Sequence, residues 1–324
     1  PADLDGERIA MSGQVVPATE LVDVARTIDW SEPANTVMSD AADARTRLLI
    51  DGFVHEAGPP PARFAWVVLG SHARRELHCA SDQDNALFWQ TSQAAETSYA
   101  ADLAATVIEG LARFGLRRCD GGYMADTWSH SLDDWQQILR ERVDAPTPDA
   151  VVDADVFLDL RPLAGGLDVS AARAELSRGA DSPRLMHGLA TAANSFPPPL
   201  HAFGRLPRGT VDLKKTGLAP IVLLARLYGL KAHSSAVGTD QRLADATKDG
   251  VLSEELTGRL RDAYTLLTRL RLQNQLRQID AREYVTDSIL MEELDDVDHD
   301  DLRDAFKAIK SAQSVTSITF RTDL

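Results

Sequence analysis

Apolar positions along this chain change rhythm near its middle. In the first half, Phe64 to Leu69 is a continuous apolar run closed by Gly70-Ser71, and Ala86 to Trp89 is a second short run. Runs this short, bounded by turn residues, read as buried strands, here paired as a hairpin. Around them the period lengthens. Leu48, Leu49, Gly52 and Phe53 recur at helical spacing after Ser39, a candidate N-cap, and stop before Pro59-Pro60-Pro61. Tyr99, Leu103, Val107, Leu111 and Phe114 follow at steps of three and four, with Gly115 as the stop, and predict one amphipathic helix over the sheet. Leu116 to Cys119 is a further short strand, Ser131-Leu132-Asp133-Asp134 opens a helix carrying Trp135 and Leu139, and Asp155 to Leu163 alternates like a strand. Beyond Gly165-Gly166 the helical period takes over, at 168–178, 182–194, 219–231, 253–280 and 299–312, with a break at Pro197-Pro198-Pro199. The fold class is therefore α+β. A small mixed-sheet module occupies 39–165 and an all-helical domain 166–324, preceded over 1–38 by a polar, proline-punctuated linker with a surface helix near Leu21 to Ile28.

Candidate chemistry gathers where the two apolar runs meet. Asp82 and Asp84 stand two apart at the start of the second run, so on a strand their side chains share a face and can hold a divalent ion together. Carboxylate oxygens suit Mg²⁺, which takes one or two protein carboxylates plus substrate phosphates. Gly70 lets the backbone approach a phosphate closely, and the Ser71 hydroxyl can hydrogen-bond it. Taken alone, Asp82-Gln83-Asp84 would read as solvated turn residues. An EF-hand loop is excluded, because Ala86 and Leu87 stand where it needs an oxygen donor and a glycine.

The wording of this stretch resembles a known family. Gly70-Ser71-His72-Ala73-Arg74-Arg75-Glu76, then Ser81-Asp82-Gln83-Asp84-Asn85-Ala86-Leu87, is similar to the nucleotidyltransferases usually found downstream of paired CBS domains. Their catalytic module resembles the PII-protein uridylyltransferase within the DNA polymerase beta nucleotidyltransferase superfamily. Further landmarks come in the family's order: Cys119-Asp120-Gly121-Gly122-Tyr123-Met124-Ala125, Phe157-Leu158-Asp159-Leu160-Arg161-Pro162, Asp212-Leu213-Lys214-Lys215, Gly217-Leu218-Ala219-Pro220-Ile221 and Arg269-Leu270-Arg271-Leu272-Gln273-Asn274-Gln275.

The resemblance, which runs from about Asp40 to the C-terminus, implies a nucleotidyltransferase module with a C-terminal helical substrate-binding domain. Asp82, Asp84 and Asp159 would hold Mg²⁺ or Mn²⁺, and Gly70, Ser71, Arg74, Lys214 and Lys215 would bind the nucleotide. The plain reading of Asp159 is a salt bridge to Arg161 across one pleat, and that of Lys214-Lys215 is a pair of solvated lysines. Arg271, Gln275 and Gln278 share a face that would line the cleft or face water. The implied donor is UTP or ATP, and the implied acceptor a protein hydroxyl, in signal transduction. Two alternatives stay open: a regulatory nucleotide-binding module without turnover, and transfer to a small molecule, as in aminoglycoside nucleotidyltransferases.

Charge narrows the partners. With 324 residues the chain holds two domains, and its net charge of −15 opposes a polyanion, so nucleic acid is not expected as a partner. Cys79 and Cys119 give neither a disulfide framework nor a metal-binding pair, Cys119 reading as a small core residue, and the eight histidines lack zinc-ligand spacing. No segment reads as a signal peptide or a membrane span, so we expect a cytoplasmic protein. Because the chain begins at Pro1 rather than Met, we expect a fragment, with a CBS-type regulatory region upstream.

Overall fold

The structure is a computed structural model that describes residues 19–28, 34–201 and 204–322. Part of the expected 1–38 linker lies outside these residues. Its helix forms as α1 (Glu20–Arg26), but not on the surface: Leu21, Val22 and Ala25 are buried in the main core. α2 (Ala34–Ala57) runs straight through Ser39. Ser39 is therefore not an N-cap; its buried hydroxyl accepts the Leu77 amide at 3.3 Å.

β1 (Phe64–Val68) pairs antiparallel with β3 (Asn85–Trp89), as the two apolar runs predict. β5 (Ser129–Ser131) adds parallel to β3, and β6 (Arg161–Gly165) antiparallel to β1, giving a mixed sheet in the order β5-β3-β1-β6. Both faces are covered, which explains why the strands read as unbroken apolar runs. Phe64, Trp66, Val68, Leu87 and Trp89 point into a core shared with α2 and α5 (Ser98–Phe114). Ala65, Val67, Ala86 and Phe88 point the other way, onto Trp135 and Leu139 of α6 (Leu132–Asp144) and Phe157 of α7 (Pro148–Phe157). The expected stops hold: Gly115 ends α5 at φ 123°, and the Ser131 hydroxyl caps α6 by accepting the Asp134 amide at 3.1 Å.

The strand expected from Asp155 to Leu163 is corrected. α7 carries the chain to Phe157 and the strand begins only at Arg161, so Asp159 sits in the turn between them. Thr147 caps this helix and Pro148 begins it, two start signals that override the short alternation downstream.

The second half is built on helices, as expected: α8 (Ser170–Ser177), α9 (Pro183–Asn194), α10 (Ala219–Lys231), α11 (Thr239–Lys248), α12 (Glu254–Asp280) and α13 (Asp296–Phe320). α9 to α13 pack around their own core, whereas Ala172 and Leu176 of α8 join Trp135 and Phe157 against the sheet. Two features depart from the all-helical reading. β7 (Thr210–Asp212) pairs antiparallel with β8 (Ser288–Leu290), and a π-helical turn, Lys214–Leu218, leads into α10. α10 is buried from Pro220 to Leu230 except at the half-buried Leu223, with a charged residue, Arg226, inside the run.

Candidate active site

α3 (Gly70–Arg74) follows β1, and β2 (Asp82–Gln83) lies beside β4 (Arg117–Arg118). From Asp82 to Asn85 the side chains alternate in role. Gln83 and Asn85 are buried: the Gln83 amide donates to the carbonyls of Ile108 (3.0 Å) and Leu116 (3.1 Å), and the Asn85 oxygen accepts the Ala125 amide at 2.8 Å. Asp82 and Asp84 are left facing one cavity of 220 Å³, lined also by Gly70, Ser71, Arg74, Ser81, Val156, Lys214, Arg226 and Arg271. The alternation predicted for a strand survives although Asp84 itself lies between β2 and β3.

Gly70 is required here. Its φ is +55°, and a Cβ at this position would stand 2.5 Å from Asp84 Oδ2. The turn is held from behind by buried charge. Asp43 accepts from Arg161 Nη1 and Nη2, both at 2.8 Å, and lies 2.8 Å from His72 Nε2, while Arg161 also donates to the carbonyls of His72 and Ala73, each at 2.9 Å. Burial alone would raise the Asp43 pKa, but His72 and Arg161 hold it well below the ordinary carboxylate range.

The two cavity aspartates shift the opposite way from Asp43. Burial raises the pKa of Asp82 despite Arg117 at 2.9 Å and nearby Lys214. Burial raises Asp84 as well, with the charge of Asp82 adding to it and the Cys119 thiol opposing. An anionic pair that holds its charge at a cost is short of cations. Cys119 is half-buried against the main core; burial and Asp84 push its thiol up to about 11, which disfavours the thiolate.

Asp159 is placed differently from its expected role. It does not line the cavity, and it is fully buried among three guanidiniums: Arg74, Arg226 and Arg242 all bond its two oxygens. Its expected partner Arg161 is instead on Asp43. Burial would raise the Asp159 pKa, yet Arg226, Arg74 and Arg242 hold it well below the carboxylate range. Its Oδ2 takes Arg74 and two N–H groups of Arg226 and its Oδ1 takes Arg242, so this carboxylate is committed to guanidiniums, two of which α10 and α11 bring from distant sequence. Among the described residues no three His, Cys, Asp or Glu side chains gather to hold an ion.

The helical domain completes the cavity. Lys214 is exposed on its lining and, among the described residues, has no ion-pair partner, whereas neighbouring Lys215 is outside the lining. Arg271 is buried and bonded to Asp287 at 2.6 Å; Gln275 joins the same carboxylate at 2.9 Å, so this face of α12 is neither wet nor idle. Arg74, besides Asp159, bonds Glu76 at 2.6 Å, and Glu76 accepts the Thr239 amide that starts α11 at 2.9 Å. One carboxylate of the first domain thereby caps a helix of the second. Sequence reading missed Arg226. The signal for it was a lone charge inside an apolar helical run, which is costly unless partnered.

A small mixed sheet bearing Gly70-Ser71 and two alternate aspartates, joined to a helical domain that lends cations to the same cavity, defines a nucleotidyltransferase architecture. The family model described as "Putative nucleotidyltransferase DUF294" matches residues 24–149, and the one described as "Putative nucleotidyltransferase substrate binding domain" matches 183–320. The chain belongs to this nucleotidyltransferase family and carries its C-terminal substrate-binding domain. No curated protein matches the chain.

Proposed function

We propose that the protein moves a nucleoside monophosphate from an NTP to a hydroxyl group on a protein acceptor. The observation that carries this reading is the meeting of Gly70, Ser71, Asp82 and Asp84 with Lys214 and Arg271 of the helical domain around one cavity. At 220 Å³ it is below the ~300–1,000 Å³ of whole small-molecule pockets, so it suits the phosphate chain, with the base outside it.

The residues present fit a hard divalent cation. Two half-buried carboxylates with raised pKa values, beside a glycine turn, supply an all-oxygen donor set that phosphate oxygens and water can complete. Asp82 and Asp84 would hold Mg²⁺ or Mn²⁺, which when bound offsets the charge of the triphosphate and of the leaving pyrophosphate. Gly70 leaves room for the Asp84 carboxylate, and Ser71 offers its hydroxyl to a phosphate oxygen. Lys214, with no carboxylate partner among the described residues, is the cation most available to the phosphates; Arg74, Arg226 and Arg271 add positive field from fixed positions.

In the transfer, the acceptor oxygen bonds to the α-phosphorus while the bond from that phosphorus to the bridging oxygen breaks, and pyrophosphate leaves. The acceptor's proton passes to the Asp82/Asp84 pair or to water, since among the described residues no other carboxylate and no histidine lines the cavity. Similarity to PII uridylyltransferase supports a tyrosine hydroxyl as acceptor, UTP or ATP as donor and a place in signal transduction in the cytoplasm. The net charge of −15 disfavours a polynucleotide acceptor, and no described helix is long and apolar enough to cross a membrane.

One observation favours a second reading, nucleotide sensing without turnover: with Asp159 engaged by arginines, the cavity has two carboxylates rather than three. Calorimetry with UTP and ATP in Mg²⁺ tests the common part of both. The wild type should bind, and the Asp82→Asn/Asp84→Asn double variant should not; equal metal-dependent affinity in both would remove the site. Pyrophosphate release then separates transferase from sensor.

A further inference from the structure

A second cavity, of 580 Å³ against the 220 Å³ of the nucleotide cavity, lies against the same arginine cluster. Its walls come from both domains: the α7–β6 turn and α8 on one side, and α10, the turn after it and α11 on the other. Leu160, Leu167, Leu176 and Leu230 make an apolar surface, while Arg173, Arg226 and Arg242 make a cationic one. Among the described residues the one carboxylate in the lining, Asp168, is exposed and already accepts from the amide (2.9 Å) and hydroxyl (3.0 Å) of Ser170. Arg173 donates to the Ser235 carbonyl at 2.6 Å and, among the described residues, has no carboxylate partner. A volume within the ~300–1,000 Å³ range of ligand pockets, with apolar walls and an uncommitted guanidinium, has the makeup of a ligand site.

We propose that this cavity is an effector site for a small organic anion, an apolar body ending in a carboxylate or a phosphate, and that Arg226 carries its occupation to the nucleotide cavity. The guanidinium fork of Arg173 matches either head group. Arg226 lines both cavities, and its charge is divided between Asp159 and Asp155. Asp155 Oδ1 is buried without a hydrogen-bond partner, so the cluster holds a spare acceptor. An anion that draws Arg242 away from Asp159 changes how Asp159 is shared between Arg226 and Arg74, and both of those arginines face the nucleotide cavity. The binding half of this proposal is independent of the nucleotidyltransferase reading; the coupling half rests on it.

Calorimetry with sodium octanoate, octyl phosphate and, as the uncharged control, 1-octanol tests both halves. Both anions should bind the wild type, with octanol at least about tenfold weaker, the worth of one charge-assisted hydrogen bond. The tighter of the two identifies the head group. Arg173→Ala should weaken the anions about tenfold while leaving UTP and ATP affinity in the absence of anion unchanged. A saturating anion should shift the nucleotide Kd at least about threefold, and nucleotide should shift the anion Kd by the same factor. Octanol binding as tightly as octanoate, no anion binding, or indifference to Arg173→Ala would overturn the site. Anion binding with no effect on a nucleotide that does bind would overturn the coupling. If no nucleotide binds, the coupling falls with the proposed function, and the anion site still stands or falls on Arg173.

Discussion

Replacing Asp159 with asparagine removes the least exposed carboxylate among the described residues and distinguishes a structural role from a metal-binding one. In the native protein it neutralises parts of Arg74, Arg226 and Arg242 at once. After the change Arg74 keeps Glu76 and Arg226 keeps Asp155, but Arg242 is left with only the carbonyls of Ala236 and Leu158. Breaking a buried ion pair by removing one partner costs about 3–5 kcal/mol, because the charge left behind stays buried. At about 2 °C per kcal/mol for a chain of this size, the melting temperature should fall by roughly 6–10 °C. The assay is a thermal melt in EDTA without nucleotide, so that no bound ion or ligand contributes. Adding Arg242→Met to the variant removes the stranded charge and should recover part of the loss. A melting temperature within about 1 °C of wild type in EDTA, together with lost metal-dependent nucleotide binding, would refute this reasoning and return Asp159 to the metal site.

Gly70→Ala should cost about 1–2 kcal/mol of stability for left-handed backbone at a residue with a Cβ, and metal-dependent UTP or ATP affinity should drop at least about tenfold as Asp84 is displaced; unchanged affinity by calorimetry would contradict the geometry. Lys214→Ala should weaken nucleotide binding about tenfold and Lys215→Ala less than about twofold, since only Lys214 lines the cavity; equal losses would show that the pair acts as diffuse charge. Asp43 and Asp159 both have folded pKa values held below the unfolded value, so their contribution is present above about pH 4 and is lost as pH falls through the folded values. Melting temperature should therefore be level at neutral pH and fall below about pH 4, with a shallower acid fall in Asp43→Asn; parallel wild-type and variant curves would contradict that assignment.

The hairpin and the helix from Tyr99 to Phe114 were legible because both faces of the sheet and one face of the helix are buried in the same core, which leaves runs and steps of three and four in the sequence. The cavity aspartates were legible for the same reason: Gln83 and Asn85 must face inward, so Asp82 and Asp84 face out. The strand expected from Asp155 to Leu163 was misread because a short alternation does not distinguish a strand from a helix end followed by a turn. The true partners of Asp159 were invisible locally, Arg226 lying 67 residues away and Arg242 83. The β7–β8 pair escaped for a similar reason, as three-residue strands far apart in sequence carry almost no periodic signal.

The most direct test of nucleotidyl transfer is incubation of the protein with each α-labelled NTP, Mg²⁺ and cell lysate, followed by measuring pyrophosphate and locating the label. Pyrophosphate should appear, and label should pass to a protein in wild type and not with the Asp82→Asn/Asp84→Asn variant. Tight nucleotide binding with no pyrophosphate and no transferred label from any of the four NTPs would contradict a transferase and leave the sensor.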